Sequence, residues 1–364
     1  MSSMIGENIK LSIFGESHGV GIGAVIDGLP AGEPIDFDEI AAQMARRAPG
    51  RDKTTTARRE SDIPEILSGV VDGHTTGTPL CAVIRNSDTH SSDYDDIKRF
   101  PRPGHADFSA VARYGGFSDF RGGGHFSGRL TAPMVFAGAI CRTILKRRGV
   151  TVGAHILDIA GTCDTPFDPV DPGIETLERL SHSAFPVINP EAEAKMRAAI
   201  EEARMSCDSV GGIVECAAMG LPSGLGDPIF GGVENRLSAA IFGIPAVKGV
   251  EFGNGFAAAH LRGSENNDAF RFEGGKVKTE TNNHGGILGG ITTGMPIIFR
   301  AAFKPTPSIF KEQKTVDLEK KCNAELKIKG RHDPCVAVRA VPVVEALTSF
   351  CMLDLMLGGS RYDA

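Results

Sequence analysis

Apolar residues fall along this chain in two kinds of run. Short runs rich in Val, Ile and Phe recur as LSIFG (11–15), GAVIDG (23–28), EILSGVV (65–71), TVGAHIL (151–157), GGIVECAA (211–218) and MPIIFRAAF (295–303), and they predict β-strands. Helical spacing shows elsewhere. Asp36 to Glu39 reads as a capping box opening IAAQMARR, and Pro190 precedes EAEAKMRAAIEEARM, with apolar residues on one face. Two longer segments, TAPMVFAGAICRTILKRRG (131–149) and PVVEALTSFCMLDLMLGG (342–359), are apolar nearly all round, which is the mark of helices buried on several sides. The pattern predicts an α+β fold whose buried helices are covered by sheets.

Two phrases recur in the same order. GAVIDGLPAGEPI (23–35) resembles IVECAAMGLPSGLGDPIF (213–230), and GHTTGTPLCAVIR (73–85) resembles GGITTGMPIIFRA (289–301). Gly and Pro punctuate all turns, so chance likeness is the plain alternative. Two matches in one order instead favour a duplicated α+β unit, with halves roughly 1–150 and 205–364 in one domain and a site between them. The offsets, about 190 and about 215 residues, place an insertion in the second half.

Composition narrows the classes. With 364 residues a sizeable core is assured, and a net charge of −6 gives no overall reason to expect nucleic acid or an anionic membrane as partner. No CxxC pair occurs among eight cysteines, several of which sit in apolar runs, so they read as buried reduced thiols. No apolar run approaches the ~18 residues needed to span a bilayer, and the first residues lack the layout of a signal peptide. The cytoplasm is the expected compartment. Glycine is abundant at 45 residues, which suits tight turns that ligands can approach closely.

The candidate chemistry lies in seven segments, the last three taken as one set. GESHG (15–19) follows a strand and puts Ser17 and His18 at a sheet rim, as phosphate donors, a proton-passing group or simply a satisfied turn. RRAPGRDKTTTARRESD (46–62) is basic and lacks interleaved aromatics. It reads as a solvated loop, a nucleic-acid patch or, favoured by its Gly, Pro and Thr, a loop folding over a compact anion. PRPGHAD (101–107) sets His105 behind a rigid turn, with Asp107 a candidate helix cap. FRGGGHFSGRLTA (120–132) offers backbone N–H groups at a helix start, with Ser127 and Arg129 as donors, and has neither Walker nor Rossmann spacing. NNHGGILGGITTG (282–294), KPTPS (304–308) and GRHDPC (330–335) would fit a second phosphate-bearing ligand. The histidines show no metal-binding spacing, so no metal is expected.

Together and in this order, GESHG, the basic RRxPG loop, RPGHAD, RGGG with SxR, NHxGGILGGI, KPT and GRHDPC resemble the chorismate synthase family over nearly the whole chain. The resemblance implies a β-α-β sandwich with internal pseudo-twofold symmetry, assembled as a homotetramer. It implies a lyase that makes chorismate by trans-1,4-elimination of phosphate from 5-enolpyruvylshikimate 3-phosphate, with reduced FMN required although no net redox occurs. It implies roles as well. His18 would donate a proton to the leaving phosphate, His105 would protonate or hydrogen-bond the flavin, and Asp333 would assist proton removal from the ring through the flavin. Ser17, Arg47, Lys53, Arg129 and Arg331 would hold the small multiply anionic substrate. The flavin would lie against His125, Phe126 and Ser127, then Pro245 and Ala246, then Gly289, Lys304, Pro305, Thr306, Pro307 and Ser308, and Arg331.

Four positions depart from the family pattern. His125 and Phe126 follow the triple glycine where many members carry an arginine and paired serines, Lys53 stands where arginine is frequent, and Pro245 is unusual. A flavin oxidoreductase and a flavin-storage or phosphate-binding protein are the competing classes. The length leaves little room for a reductase domain, so flavin reduction, from NADPH or otherwise, is expected from an external reductase.

Overall fold

The computed structural model describes residues 3–50, 62–87, 97–328 and 333–359. Five antiparallel strands form one sheet: β1 (Met4–Ile5), β2 (Lys10–Gly15), β3 (Gly21–Asp27), β4 (Pro64–Ser68) and β5 (Leu80–Arg85), in the order β1-β2-β3-β5-β4. A second antiparallel sheet holds β6 (Thr151–Ile159), β7 (Thr162–Cys163), β8 (Gly212–Met219), β9 (Val247–Phe252) and β10 (Ile297–Phe303), in the order β7-β6-β8-β10-β9. The helices are α1 (Phe37–Arg47), α2 (Asp107–Tyr114), α3 (Thr131–Arg147), α4 (Ile174–Leu180), α5 (Pro190–Met205), α6 (Val233–Ile241) and α7 (Ala337–Gly358), beside shorter turns of helix and small hairpins.

Four strands of each sheet share one order, β2-β3-β5-β4 and β6-β8-β10-β9, while the short edge strands β1 and β7 do not correspond, and the helices match as α1 with α6 and α3 with α7. The recurring phrases account for this down to single hydrogen bonds. Thr75 Oγ1 donates to the Pro30 carbonyl at 2.6 Å and accepts from the Glu33 N–H at 2.9 Å. Thr292 Oγ1 donates to Pro222 at 2.7 Å and accepts from Leu225 at 2.9 Å. Each threonine thus ties a GLPxG turn to the turn that launches the next strand. Helices α4 and α5 are inserted between β6 and β8, and a long excursion separates β9 from β10.

The apolar helices α3 and α7 lie between the sheets, α3 against β3 and β5, α7 against β6 and β8. A Cβ on Gly138 of α3 would collide with Ala346 of α7, so the two pack backbone to backbone there. The expectation that no apolar run reaches bilayer length is corrected by α7, which is long and apolar enough to cross a membrane by length and composition; 89% of its most apolar window is buried inside the fold. Its polar residues serve packing. Glu345 pairs with Arg46 of α1 and accepts from the Ala154 N–H at 3.0 Å, and Asp354 accepts from the N–H groups of Asn8 and Ile9 at 2.7 and 2.9 Å. The cysteines are all free, but Cys163, Cys207 and Cys322 are exposed, which corrects the expectation of eight buried thiols; each lies in a loop or strand end outside the apolar runs.

Across the second sheet one row of side chains is charged. His155, Glu215, Arg300 and Glu251 are register partners on β6, β8, β10 and β9. His155 is fully buried, with Asp164 Oδ2 and Glu215 Oε2 each 3.0 Å from its two ring nitrogens. Arg300 Nε reaches the other Glu215 oxygen at 3.0 Å, and Asp164 also accepts the N–H groups of Ile188 and Asn189. Burial opposes charge on His155, but the two carboxylates outweigh it and raise the imidazole above its ordinary value; their own protons are held below the usual carboxylate range.

Candidate active site

A cavity of about 530 Å³ opens between the two halves. Each half lines it with the same three structural positions. These are the C-terminal end of α1 or α6, the chain beyond β5 or β10, and the approach to α3 or α7. The starts of both long central helices therefore face it, and their N-terminal dipole ends favour anions.

The first half contributes cations. Arg47, at the end of α1, and Arg129, just before α3, line the cavity and converge on the buried carboxylate of Asp62. The Arg47 Nη1 to Asp62 Oδ2 distance is 2.5 Å, and Arg129 Nε also donates to Asn86 Oδ1 at 3.1 Å. Asp62 adopts a left-handed φ of 50°, a conformation that aspartate tolerates better than most residues. These three side chains together carry more positive than negative charge, which suits an anionic ligand. Replacing Asp62 with Asn keeps the shape and removes the shared charge. The expected result is a loss of about 1.5–3 kcal/mol in unfolding free energy, measured by denaturant titration, together with weaker substrate affinity.

His105 also lines the cavity. Asp107 does not cap α2 as its sequence position suggests. Ala106 is the cap residue, and the Asp107 carboxylate turns back instead, to His105 Nδ1 at 2.7 Å and to Arg102 Nε and Nη2 at 2.7 and 2.8 Å. Burial alone would raise the Asp107 carboxyl, but Arg102 and His105 hold it well below the usual range.

The triple glycine makes no helix N-terminus of the ordinary kind. Gly122, Gly123 and Gly124 all have positive φ, and a Cβ on Gly122 would collide with His18. Ser17 and His18 thus sit buried behind Gly122 and not on the cavity lining, and Ser17 Oγ is buried with no partner among the described residues. His125 lines the cavity with its ring fixed, Nδ1 donating to the Gly15 carbonyl at 2.8 Å and Nε2 accepting from Ser3 Oγ at 2.9 Å. Phe126 and Ser127 line it too.

The second half contributes a mainly apolar wall of Phe242, Ile244, Pro245, Ala246 and Val247 below α6, with Val343 of α7. Ala246 has a φ of 76°, a strained conformation for a residue other than glycine, and its carbonyl accepts the Lys304 N–H at 3.0 Å. Lys304 also donates from its ammonium to the Gly104 carbonyl, joining the halves; burial and the neighbouring charge of Lys248 lower its pKa. Thr306 Oγ1 is buried without a partner among the described residues, and Ser308 Oγ accepts from Arg102 at 3.3 Å. Asp333 lies on the lining beside Arg339, whose Nη1 donates to it at 2.6 Å.

Most of the expected residues therefore meet in one place. Gly289 and the 282–294 segment do not line the cavity; Gly289 turns a small hairpin in open space. Pro305, within the KPTPS segment, is not on the lining either. Lys53 and Arg331 lie outside the described residues. Four residues enter from the structure alone: Arg102, Lys248 and Arg339 on the lining and Asp62 beneath it. Arg102 and Asp62 fall inside segments already singled out, whereas Arg339 sits in an apolar helix that gives no such signal. Among the described residues no group of three or more His, Cys, Asp or Glu is arranged to hold a metal ion.

The model of the chorismate synthase family matches residues 9–357. A chorismate synthase of Korarchaeum cryptofilum is 49% identical over 362 residues, covering 98% of each chain. One from Dehalococcoides mccartyi is 47% identical, covering 98% of this chain and 97% of its own. Among solved structures, a chorismate synthase crystal structure superposes with a TM-score of 0.75 at 28% identity, over 97% of this chain and 93% of the other.

Proposed function

The chain belongs to the chorismate synthase family, and from that membership we propose that the cavity between its halves is where it performs the family's reaction. The reaction is a trans-1,4-elimination. A ring C–H bond breaks, its electron pair enters the ring, and the C–O bond to phosphate breaks with its pair, so that 5-enolpyruvylshikimate 3-phosphate becomes chorismate and phosphate on the shikimate route to aromatic amino acids.

The observation that carries the site assignment is the meeting of Arg47, Arg102, Arg129, His105, Lys304 and Arg339 around one cavity in a protein of net charge −6. A substrate with two carboxylates and a phosphate needs such a concentration of fixed donors, and arginine suits it through its planar fork. On this reading Arg47 and Arg129, held by Asp62, take the anionic groups, with Lys53 and Arg331 as further ligands. Ser17 and His18 act on the leaving phosphate past Gly122, where the missing side chain lets the imidazole approach the wall. Asp333, oriented by Arg339, assists removal of the ring proton.

The opposite wall fits a flavin. Ile244, Pro245 and Val247 offer an apolar surface, and Lys304, Ser308 and the Thr306 hydroxyl, which has no partner among the described residues, offer donors beside it. We assign reduced FMN to this wall, held also by His125, Phe126, Ser127 and Ala246, with His105 as its proton or hydrogen-bond partner. When bound, reduced FMN supplies electron density to the elimination with no net change in oxidation state. Flavin reduction is assigned to an external, NADPH-dependent partner and the compartment to the cytoplasm. Self-assembly into a homotetramer is supported by the exposed aromatic rings of Phe256, Phe270 and Phe272 on the β9–β10 excursion.

The test is anaerobic. Protein, substrate and chemically reduced FMN are mixed, and chorismate absorbance is followed with phosphate release. Equal appearance of both, absent with oxidised FMN, is the expected result. Silence from folded, flavin-binding protein would overturn the assignment.

A further inference from the structure

We propose that Asp107 is a positioning residue that fixes the tautomer and orientation of His105, and that Arg102 is the clamp that holds Asp107 to this task. The proposal rests on the reading of His105 as a group that exchanges a proton or hydrogen bond with a ligand in the cavity.

The geometry leaves little choice of hydrogen-bond direction. Arg102 grips Asp107 three times, through its backbone N–H at 3.0 Å and through Nε and Nη2 at 2.7 and 2.8 Å. Its own position is set by the rigid turn at Pro101 and Pro103, and its Nη1 reaches Ser308 Oγ at 3.3 Å across the cavity edge. A carboxylate held this way accepts hydrogen bonds only. The 2.7 Å contact to His105 therefore requires a proton on Nδ1. Arg102 Nη2 lies 3.0 Å from Nδ1 and 3.3 Å from Nε2. Neither contact calls for a proton on Nε2, because Nδ1–H is given to Asp107 and Nη2 has its own acceptor in Asp107 Oδ1 at 2.8 Å. The lone pair offered to a ligand is thus on Nε2. Gly123 permits the arrangement, because a Cβ there would press on the imidazole edge at 3.0 Å from Cε1 and 3.1 Å from Nε2.

A carboxylate behind a histidine does two things to a proton-exchanging site. It prevents the ring from turning over to the wrong tautomer, and it stabilises the imidazolium when Nε2 takes a proton. Arg102 ensures that the carboxylate stays ionised and in place. The segment 101–107 thereby carries a complete donor–acceptor chain, Arg102 to Asp107 to His105.

The direct test uses full-length protein labelled with 15N-histidine and long-range 1H–15N correlation spectra, with the His105 signals identified by their loss in His105→Ala. Neutral His105 is expected as the Nδ1–H tautomer. In Asp107→Asn the side-chain amide can donate to Nδ1, and the signals are expected to move to the Nε2–H pattern while turnover falls about 10- to 100-fold with KM changed less than about threefold. Asp107→Glu is expected to restore part of both. An Nε2–H tautomer in the wild-type protein would overturn the proposal, and that spectrum decides even if the Asp107 variants do not fold. An Asp107→Asn protein that keeps the Nδ1–H pattern and turns over within twofold of wild type would also overturn it. Unchanged turnover in His105→Ala together with an Nδ1–H wild-type spectrum would remove the ligand role of His105 and leave the positioning intact.

Discussion

Alanine in place of His105 is expected to lower turnover by about 10² to 10⁴-fold, the usual worth of a placed acid or base, while substrate and flavin affinities stay within a few-fold. The separation follows from where the residue sits. The charges that would hold the substrate come from Arg47 and Arg129, which are fastened to Asp62, and neither depends on His105. Single-turnover rates with reduced FMN measure the loss, and equilibrium binding measures what is kept. His18→Ala should behave alike, because Ser17 and His18 lie behind Gly122 and are not among the residues that line the cavity with Arg47 and Arg129. If the two residues act in one sequence of proton transfers, the double variant should cost much less than the product of the single losses. An unchanged rate in either single variant would remove its assignment.

The second large effect is on stability and lies far from the cavity. His155→Leu leaves Asp164 and Glu215 buried and facing an apolar side chain, and removing one partner from a buried charged group typically costs about 3–5 kcal/mol. A drop on the order of 10 °C in unfolding temperature follows. The dependence on pH identifies the cause. The imidazole's contribution is complete below its ordinary value of 6.5 and fades as pH rises through its raised folded value. The carboxylates' contributions are complete above their ordinary values of 3.8 and 4.5 and fade as pH falls through their lowered folded values. The gap between wild type and variant should therefore be widest from about pH 4.5 to 6.5. A gap that does not vary with pH would show that packing alone is lost.

Much of the architecture is legible in the residue pattern, for physical reasons. Helices α3 and α7 are apolar on every side because sheets cover them, and that is visible without a structure. The GLPxG and TTGxP phrases are legible because Thr75 and Thr292 make the same hydrogen bonds in each half. The partners of the charged groups are less so. Within 46–62 the arginines stand out by density, whereas Asp62 matters only because the fold brings Arg129 to it from 67 residues away. His155 reads as one polar residue in TVGAHIL, since its partners are fixed by strand register and by the α4–α5 insertion. Asp107 looks like a helix cap because the local sequence allows one, but the nearby guanidinium of Arg102 is the stronger partner.

The matched order of four strands in each sheet bears finally on exchange. A chain made of two identical halves would enclose a symmetric hollow, equally suited to two copies of one small molecule. Here the corresponding positions differ: the end of α1 and the approach to α3 bear arginine, while the end of α6 is apolar. The hollow has two unlike faces, so that a flat ring and a compact anion can lie side by side, each against the wall that a different half provides. Hybrids that swap one half with a relative should therefore inherit ring preference and anion preference as separable traits.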